Sequence, residues 1–163
     1  MSAAAPAARS TDESTAAPGP YGAVDRCLRT LRADYATAPI DAGFDWVERL
    51  ADTPSGAYFL VVFRSVRRVG ADSEMLTEFD DRAYAEAQLS GGLHFYFKGE
   101  TDLRRACLSL CLWDSPDQAH AALRLPRHQA AVRLAHDMYE TFRLERYQVT
   151  WDHSIGLADF RML

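Results

Sequence analysis

Residues 91–113, GGLHFYFKGETDLRRACLSLCLW, hold two short runs in which side chains of different character alternate. The runs cover 93–97 and 106–113, and the segment between them contains Gly99 and Asp102, which are typical turn residues. A period of two places successive side chains on opposite faces of a sheet, so this stretch predicts a β-hairpin. On the second run one face is apolar, and the other carries groups that can contact a ligand, namely Cys107, Ser109, Cys111 and Trp113.

The sequence before the hairpin predicts one strand and one helix. Residues 57–65 are rich in aromatic and β-branched residues, which favour a strand. A helix follows, with Asp72 or Ser73 as its N-cap and apolar residues at helical spacing. The Gly91-Gly92 pair ends this helix, because glycine adopts the left-handed conformation of a C-cap without strain.

The sequence after the hairpin predicts a second helical region and a last strand. Ser115 can cap a helix whose first residue is Pro116, and Pro126 interrupts that helix and starts a second segment. Residues 142–151 alternate again. The predicted order is therefore β-α-β-β-α-β, the ferredoxin-like arrangement of the α+β class.

The chain divides into a tail, an extension, a core domain and a second tail. From Tyr21, apolar residues at helical spacing predict one helix to about Ala36. Asp45 opens a second short helix, whose predicted buried side consists of Phe44, Val47 and Leu50. The predicted boundaries are 1–20 for a disordered tail, 21–55 for the N-terminal helical extension, 56–155 for the ferredoxin-like domain and 156–163 for a C-terminal tail.

Composition limits the classes of partner. A chain of 163 residues with 48% hydrophobic residues can form one core domain. The net charge of -5 argues against a nucleic-acid partner, and no apolar run reaches the roughly 20 residues of a membrane span. The cysteine count is odd, and Cys107 and Cys111 would lie about 13 Å apart along a strand, too far for a disulfide. A reduced, cytoplasmic protein is expected.

Three features of the sequence resemble the dimeric α+β barrel superfamily, which includes the antibiotic biosynthesis monooxygenase domains. They are the strand order, the strand 106–113 running into Ser115-Pro116-Asp117-Gln118-Ala119, and the helix start Pro126-Arg127-His128. The resemblance covers about residues 57–151, and 63–93 is also similar to a branch with an N-terminal helical extension. It implies a homodimer in which two sheets pack face to face across a two-fold axis. It also implies a pocket between each sheet and its helices or within the barrel, and a role in secondary metabolism.

The residues themselves also favour a homodimer. A four-stranded sheet with helices on one side has a second face to bury, and two-fold pairing of that face would bury it. The residues assigned to this aromatic face are Tyr58, Leu60, Val62, His94, Tyr96, Trp113 and Trp151.

Three residues are candidates for catalysis. His94 and His128 could act as bases near neutral pH, and Arg64 could steady an anion formed on the substrate. The alternatives are an ordinary dimer interface for His94, a helix-end role for His128 and a structural salt bridge for Arg64.

A second group is predicted to bind the substrate. Tyr96 and Trp113 would hold an aromatic ring, and Arg146 could bind a carboxylate or an enolate oxygen. No metal site is expected, because His128 and His136 would lie about 80° apart on a helix. The predicted substrate-binding residues are Tyr58, Tyr96, Ser109, Cys111, Trp113 and Arg146.

Three functions fit this sequence. The first is a small cofactor-independent enzyme, of the monooxygenase, cyclase or isomerase type, acting on an aromatic or polyketide-like molecule. The second is a haem-binding protein; haem-degrading members that resemble this fold use an Asn near the pocket, and this sequence contains no Asn. The third is a non-catalytic ligand-binding or stress-response dimer, which predicts a tight barrel without a cavity for a drug-sized ligand.

Overall fold

A computed structural model describes residues 28–163. Its strands form one five-stranded antiparallel sheet in the order β2-β3-β1-β4-β5. The elements are α1 Ile40–Gly43, α2 Trp46–Leu50, β1 Gly56–Arg67, α3 Ser73–Ser90, β2 Leu93–Lys98, β3 Ala106–Trp113, α4 Pro116–Leu123, α5 Pro126–Met138, β4 Tyr139–Asp152 and β5 Leu157–Met162. From β1 to β4 this is the predicted ferredoxin-like β-α-β-β-α-β order, so the fold prediction is confirmed.

The helix boundaries follow local capping chemistry. The Asp72 carboxylate accepts a hydrogen bond from the Met75 amide (2.9 Å), and Gly91 ends α3 with a φ of 81°. Ser115 caps α4 by accepting from the Gln118 amide (3.4 Å). Pro126 separates α4 from α5, because proline cannot donate the hydrogen bond that would continue the first helix.

The extension departs from its prediction. Residues 21–27 of the first predicted helix lie outside the described residues, and 28–36 contain no helix. Instead Thr30 forms an isolated antiparallel bridge with Phe44, so packing overrides helical propensity here. The second helix is confirmed, with Asp45 accepting from the Glu48 amide, but Val47 is 52% exposed and not part of its buried side.

The predicted C-terminal tail is also corrected. Residues 156–163 contain β5, which pairs antiparallel with the end of β4. The paired residues run from Tyr147 opposite Met162 to Asp152 opposite Leu157. Phe160 and Ala158 pack against the core. The four-stranded sheet expected from the sequence therefore gains a fifth strand.

The two faces of the sheet carry different covers. One, the helix face, lies under α3, α4 and α5; the other, the extension face, lies under residues 28–50. The extension face is the larger core, in which Phe44, Trp46 and Leu50 are at most 4% exposed. Its strand residues are also closed to solvent, namely Leu60, Val62, Leu108, Leu110, Leu112, Tyr147, Val149 and Trp151.

Pairing register corrects the aromatic face predicted from the sequence. Phe59 lies opposite Trp113 and Val61 lies opposite Cys111, and directly opposed residues share a face. Trp113 therefore lies on the helix face, whereas Tyr58, Leu60 and Val62 lie on the extension face. A one-residue difference in pairing exchanges the two faces of a strand, and periodicity alone does not reveal it.

A bulge at His94 separates two other residues of that predicted face. Leu93 pairs with Trp113 and Phe95 pairs with Leu112, so β2 has one extra residue between these two positions. The alternation breaks there, and His94 no longer shares a face with Tyr96. The predicted aromatic face is thus divided, and the open surface on which the homodimer argument rested is covered within one chain.

Candidate active site on the helix face

A cavity of about 260 Å³ lies between the helix face and helices α3, α4 and α5. Its wall is mostly aromatic and aliphatic, and it opens over β4, where Phe142 and Leu144 are 41% and 45% exposed. This opening arises because the helices do not cover β4 completely. A partly closed apolar hollow with a few polar groups is the usual form of a small-molecule site.

The polar floor of the cavity is a hydrogen-bonded network around Asp80. The Tyr96 hydroxyl donates to Asp80 Oδ1 (2.6 Å). Lys98 Nζ lies 3.0 Å from Asp80 Oδ2. Burial, and then the Asp80 charge, raise the pKa of Tyr96 well above 10, so its hydroxyl remains protonated.

His128 brings a further polar group to the cavity wall. Its backbone amide donates to Glu86 Oε2 (3.3 Å) at the start of α5, which fixes the residue at the cavity wall. The side-chain Nδ1 is buried and has no hydrogen-bond partner among residues 28–163. Burial lowers the pKa of His128, while the charges of Glu86 and Asp80 act in the opposite direction. The ring is therefore neutral near pH 7.

Cys111 and Trp113 contribute shape more than reactivity. The Trp113 indole N–H donates to Cys111 Sγ (3.0 Å), and Trp113 is 2% exposed. Burial raises the pKa of Cys111 to about 11, so the sulfur is a thiol at neutral pH. Neither residue offers a free nucleophile.

Six of the nine predicted site residues line this one cavity: Tyr96, Ser109, Cys111, Trp113, His128 and Arg146. Arg146 lies on β4 and is exposed, which places its guanidinium group at the rim. The other three, Arg64, Tyr58 and His94, do not line the cavity.

Arg64 has a structural role on the extension face. Its guanidinium group donates to the carbonyl oxygens of Ala36 (2.6 Å) and Ala38 (2.9 Å), and its Nε lies 3.1 Å from Glu145. The Arg64 side chain is only 11% exposed, and each of its guanidinium nitrogens has a hydrogen-bond partner on the extension face. Its predicted role in steadying a substrate anion is therefore wrong, and the salt-bridge alternative is correct.

His94 and Tyr58 form a separate surface pair. Their rings meet edge to face at 4.8 Å, and His94 Nε2 lies 2.5 Å from Asp114 Oδ1. The Tyr58 hydroxyl donates to the Pro54 carbonyl (2.7 Å). The bulge in β2 turns His94 away from the cavity, so it does not meet Tyr96 as the sequence suggested.

Asp80 is the site residue that sequence reasoning missed. It lies on the buried side of α3, four residues after Leu76 and three before Ala83, although the run of acidic residues around it is typical of a solvated helix face. Its partner Tyr96 is 16 positions away on β2, and only the packing of α3 on the hairpin brings the two together. The one available signal was its spacing, because Asp80 falls in the same helical stripe as Leu76, Ala83 and Ala87.

Two further findings concern other kinds of site. Within residues 28–163, no group of three or more His, Cys, Asp and Glu side chains could hold a metal ion. None of the helices in this part of the chain is both long and apolar enough to cross a membrane.

The fold and the cavity define the class of protein. It is a ferredoxin-like α+β protein, as the strand order predicts, with a cavity of about 260 Å³ between its sheet and its helices. The family follows from a sequence model described as PB2B2.08-like, which matches residues 23–161. The chain belongs to this family.

Solved structures share the fold at low sequence identity. Protein SO0527 from Shewanella oneidensis is 14% identical, with a TM-score of 0.50 over 56% of this chain and 89% of that one. SnoaB, a cofactor-independent oxygenase from Streptomyces nogalater, is 14% identical, with a TM-score of 0.48 over 56% and 91%. A dimeric protein of ferredoxin-like fold from Bacteroides fragilis is 13% identical, with a TM-score of 0.46 over 56% and 95%. No curated protein matches the chain.

Proposed function

We propose that the helix-face cavity binds a small aromatic or polyketide-like molecule and that the protein converts it without a cofactor, in a reaction of the monooxygenase, cyclase or isomerase type. The observation that carries this proposal is the buried, unpartnered Nδ1 of His128 at the wall of an aromatic-lined cavity. A polar atom left without a partner in a native structure needs an explanation, and a bound ligand provides one.

The chemistry begins with a proton transfer to His128. The neutral ring accepts a proton at Nδ1 from a phenol, an enol or an acidic C–H group of the ligand. The bond to that hydrogen breaks, its electron pair stays on the ligand as a phenolate or enolate, and an N–H bond forms on His128. Asp80 and Glu86 favour the protonated ring, because their charges act to raise the pKa of His128.

The remaining cavity residues hold and orient the ligand. The donors on the floor are already engaged, since Tyr96 donates to Asp80 and Trp113 donates to Cys111. These side chains therefore present apolar surface to a ring rather than competing hydrogen bonds. Arg146 at the rim is suited to a carboxylate or enolate oxygen on the outer part of the ligand.

The three reaction types share this deprotonation and differ in the fate of the anion. An isomerase returns the proton to another atom, a cyclase lets the carbanion attack a carbonyl of the same molecule, and a monooxygenase passes electrons to dioxygen as co-substrate. A homodimer and a cytoplasmic location remain predictions from the sequence.

The residues of the cavity do not fit a haem. A cavity of about 260 Å³ is too small to enclose the large macrocycle of a haem, although it can hold a smaller ring system of the size of anthrone or a phenol.

The proposal is tested with anthrone and a panel of phenols as probes, by calorimetry for binding and by oxygen uptake and product analysis for turnover. His128→Gln keeps a polar side chain but removes the base, and is expected to bind a probe within a few-fold of the wild type while turnover falls about 100-fold or more. His153→Gln, outside the cavity lining, is the matched control and should change neither.

Three outcomes separate the alternatives. No binding of any probe would contradict the proposed site. Binding without turnover in the wild type would favour the non-catalytic ligand-binding protein. Turnover that survives His128→Gln would remove the assigned base.

A further inference from the structure

The extension face would be strongly apolar without its cover. Leu60, Val62 and Leu108 are 0% exposed, and their neighbours on β3 and β4 are closed to a similar degree. Soluble monomers rarely expose contiguous apolar patches larger than a few hundred Å². Some structure must therefore occupy this face in the native state.

The cover supplied by residues 28–50 is specifically built. Phe44 meets the rings of Tyr35, Trp46 and Phe97 edge to face at 5.1–5.7 Å. The Trp46 indole N–H donates to the Ile40 carbonyl (2.8 Å), so its polar atom is satisfied inside the core. Such packing has the character of a domain core rather than of a loosely docked segment.

The sheet curves around this cover. Trp46 contacts Phe95 on one edge strand (6.4 Å between ring centroids) and Phe160 on the other (4.9 Å). In a flat five-stranded sheet the two edge strands would lie about 19 Å apart, at roughly 4.8 Å per step. A concave face with both edges near one indole does not offer the broad surface that a second sheet would need.

Polar anchoring makes the same face unsuitable for another sheet. Arg64 and Glu145, with side chains 11% and 5% exposed, form an ion pair in this core. The rest of the guanidinium group is satisfied by backbone carbonyls of residues 35–38. The backbone carbonyl groups of a strand that is paired within a sheet are already hydrogen-bonded and cannot accept from a guanidinium group. An irregular segment has free carbonyl groups that can.

We infer that residues 28–50 take the place of a second subunit on this sheet. The chain completes its own barrel-like core, and the extension face takes no part in self-association. This assigns the N-terminal extension a role that is independent of the proposed reaction, and it differs from the sheet-to-sheet homodimer implied by the superfamily resemblance.

The decisive experiment is isotope-filtered NMR on an equal mixture of ¹³C-labelled and unlabelled full chain. We expect contacts of Trp46 with Phe160, and of Tyr35 with Phe97, within one chain only. Contacts between copies for either pair, or between the β1 or β3 residues of two copies, would overturn the inference. The result does not depend on whether any substrate is turned over.

Two variants provide a second measurement. Trp46→Ala opens the centre of the cover and is expected to increase binding of an apolar dye and to shift the protein toward concentration-dependent self-association in sedimentation experiments. Val47→Ala, on the same short helix but 52% exposed, is the control and should behave like the wild type. A Trp46→Ala protein that binds no additional dye and stays unassociated would contradict the inference; should that variant fail to fold, the filtered spectra of the wild type decide.

Discussion

The two faces of the single sheet differ in how completely they are closed. On the extension face, Phe44 is 2% exposed and the buried Arg64–Glu145 ion pair is fully hydrogen-bonded. On the helix face, Phe142 is 41% exposed, and His128 Nδ1 lacks a partner among the described residues. The same strands thus carry a stabilising core on one side and the cavity proposed as a ligand site on the other. Substitutions of matched chemistry on the two faces should separate these roles.

The largest contrast is expected between two phenylalanines. Phe44→Ala should lower the free energy of unfolding by about 4 kcal/mol, because it leaves a cavity among closely packed rings. Phe142→Ala should cost about 1 kcal/mol, since less surface is removed from water there. Urea unfolding followed by circular dichroism measures both, and equal losses would mean that the faces do not differ in packing.

Two arginines give the next contrast. Arg64→Met should cost about 3 kcal/mol, because it leaves the Glu145 carboxylate buried with fewer partners. Arg146→Met, at the cavity rim, should change stability by only about 0.5 kcal/mol and instead weaken binding of anionic ligands. Parallel unfolding and ligand-binding measurements test this pair; a stable Arg64→Met protein would contradict the anchoring role of Arg64.

The smallest effect concerns the titration of His128. Burial lowers the pKa of His128 below its ordinary value near 6.5, whereas the Glu86 and Asp80 charges act to raise it. Asp80→Asn should therefore lower the pKa of His128 further. NMR titration of the imidazole signals measures this, and an upward or absent shift would mean that Asp80 does not support the protonated ring.

The sign of the linked stability change is set by the same shift. Because the unfolded chain binds the His128 proton more readily than the folded chain, the stability of the wild type should fall as the pH drops below about 6.5. Replacing His128 with Gln should reduce that slope. Asp80→Asn and His128→Gln thus test the electrostatics of the cavity without requiring turnover.

The sequence was sufficient for the order of elements from β1 to β4 and for six residues of the cavity wall. Periodicity located four of the five strands, and Asp72, Ser115 and Pro126 marked helix starts that the structure confirms. Six predicted residues meet in one cavity because they occupy the helix side of the sheet or the facing helix. These features depend on local patterns, which a sequence contains directly.

The errors have a different physical origin. The bulge at His94 and the register of β1 against β3 depend on pairing between distant strands, which alternation within one strand does not determine. Asp80 resembled a solvated acid until the hairpin placed Tyr96 against it. Residues 28–36 were predicted to be helical, but the cover they form on the sheet follows the shape of that sheet rather than their own propensity.

The curvature around Trp46 has one more consequence. An edge strand with unpaired amides and carbonyls can recruit a strand from another molecule, and β5 also exposes Leu157 and Met162. Here the two borders of the sheet bend toward a common centre, so the free backbone groups along each border do not form a straight template. We expect the same indole that fills the core to reduce aggregation through the outermost strands.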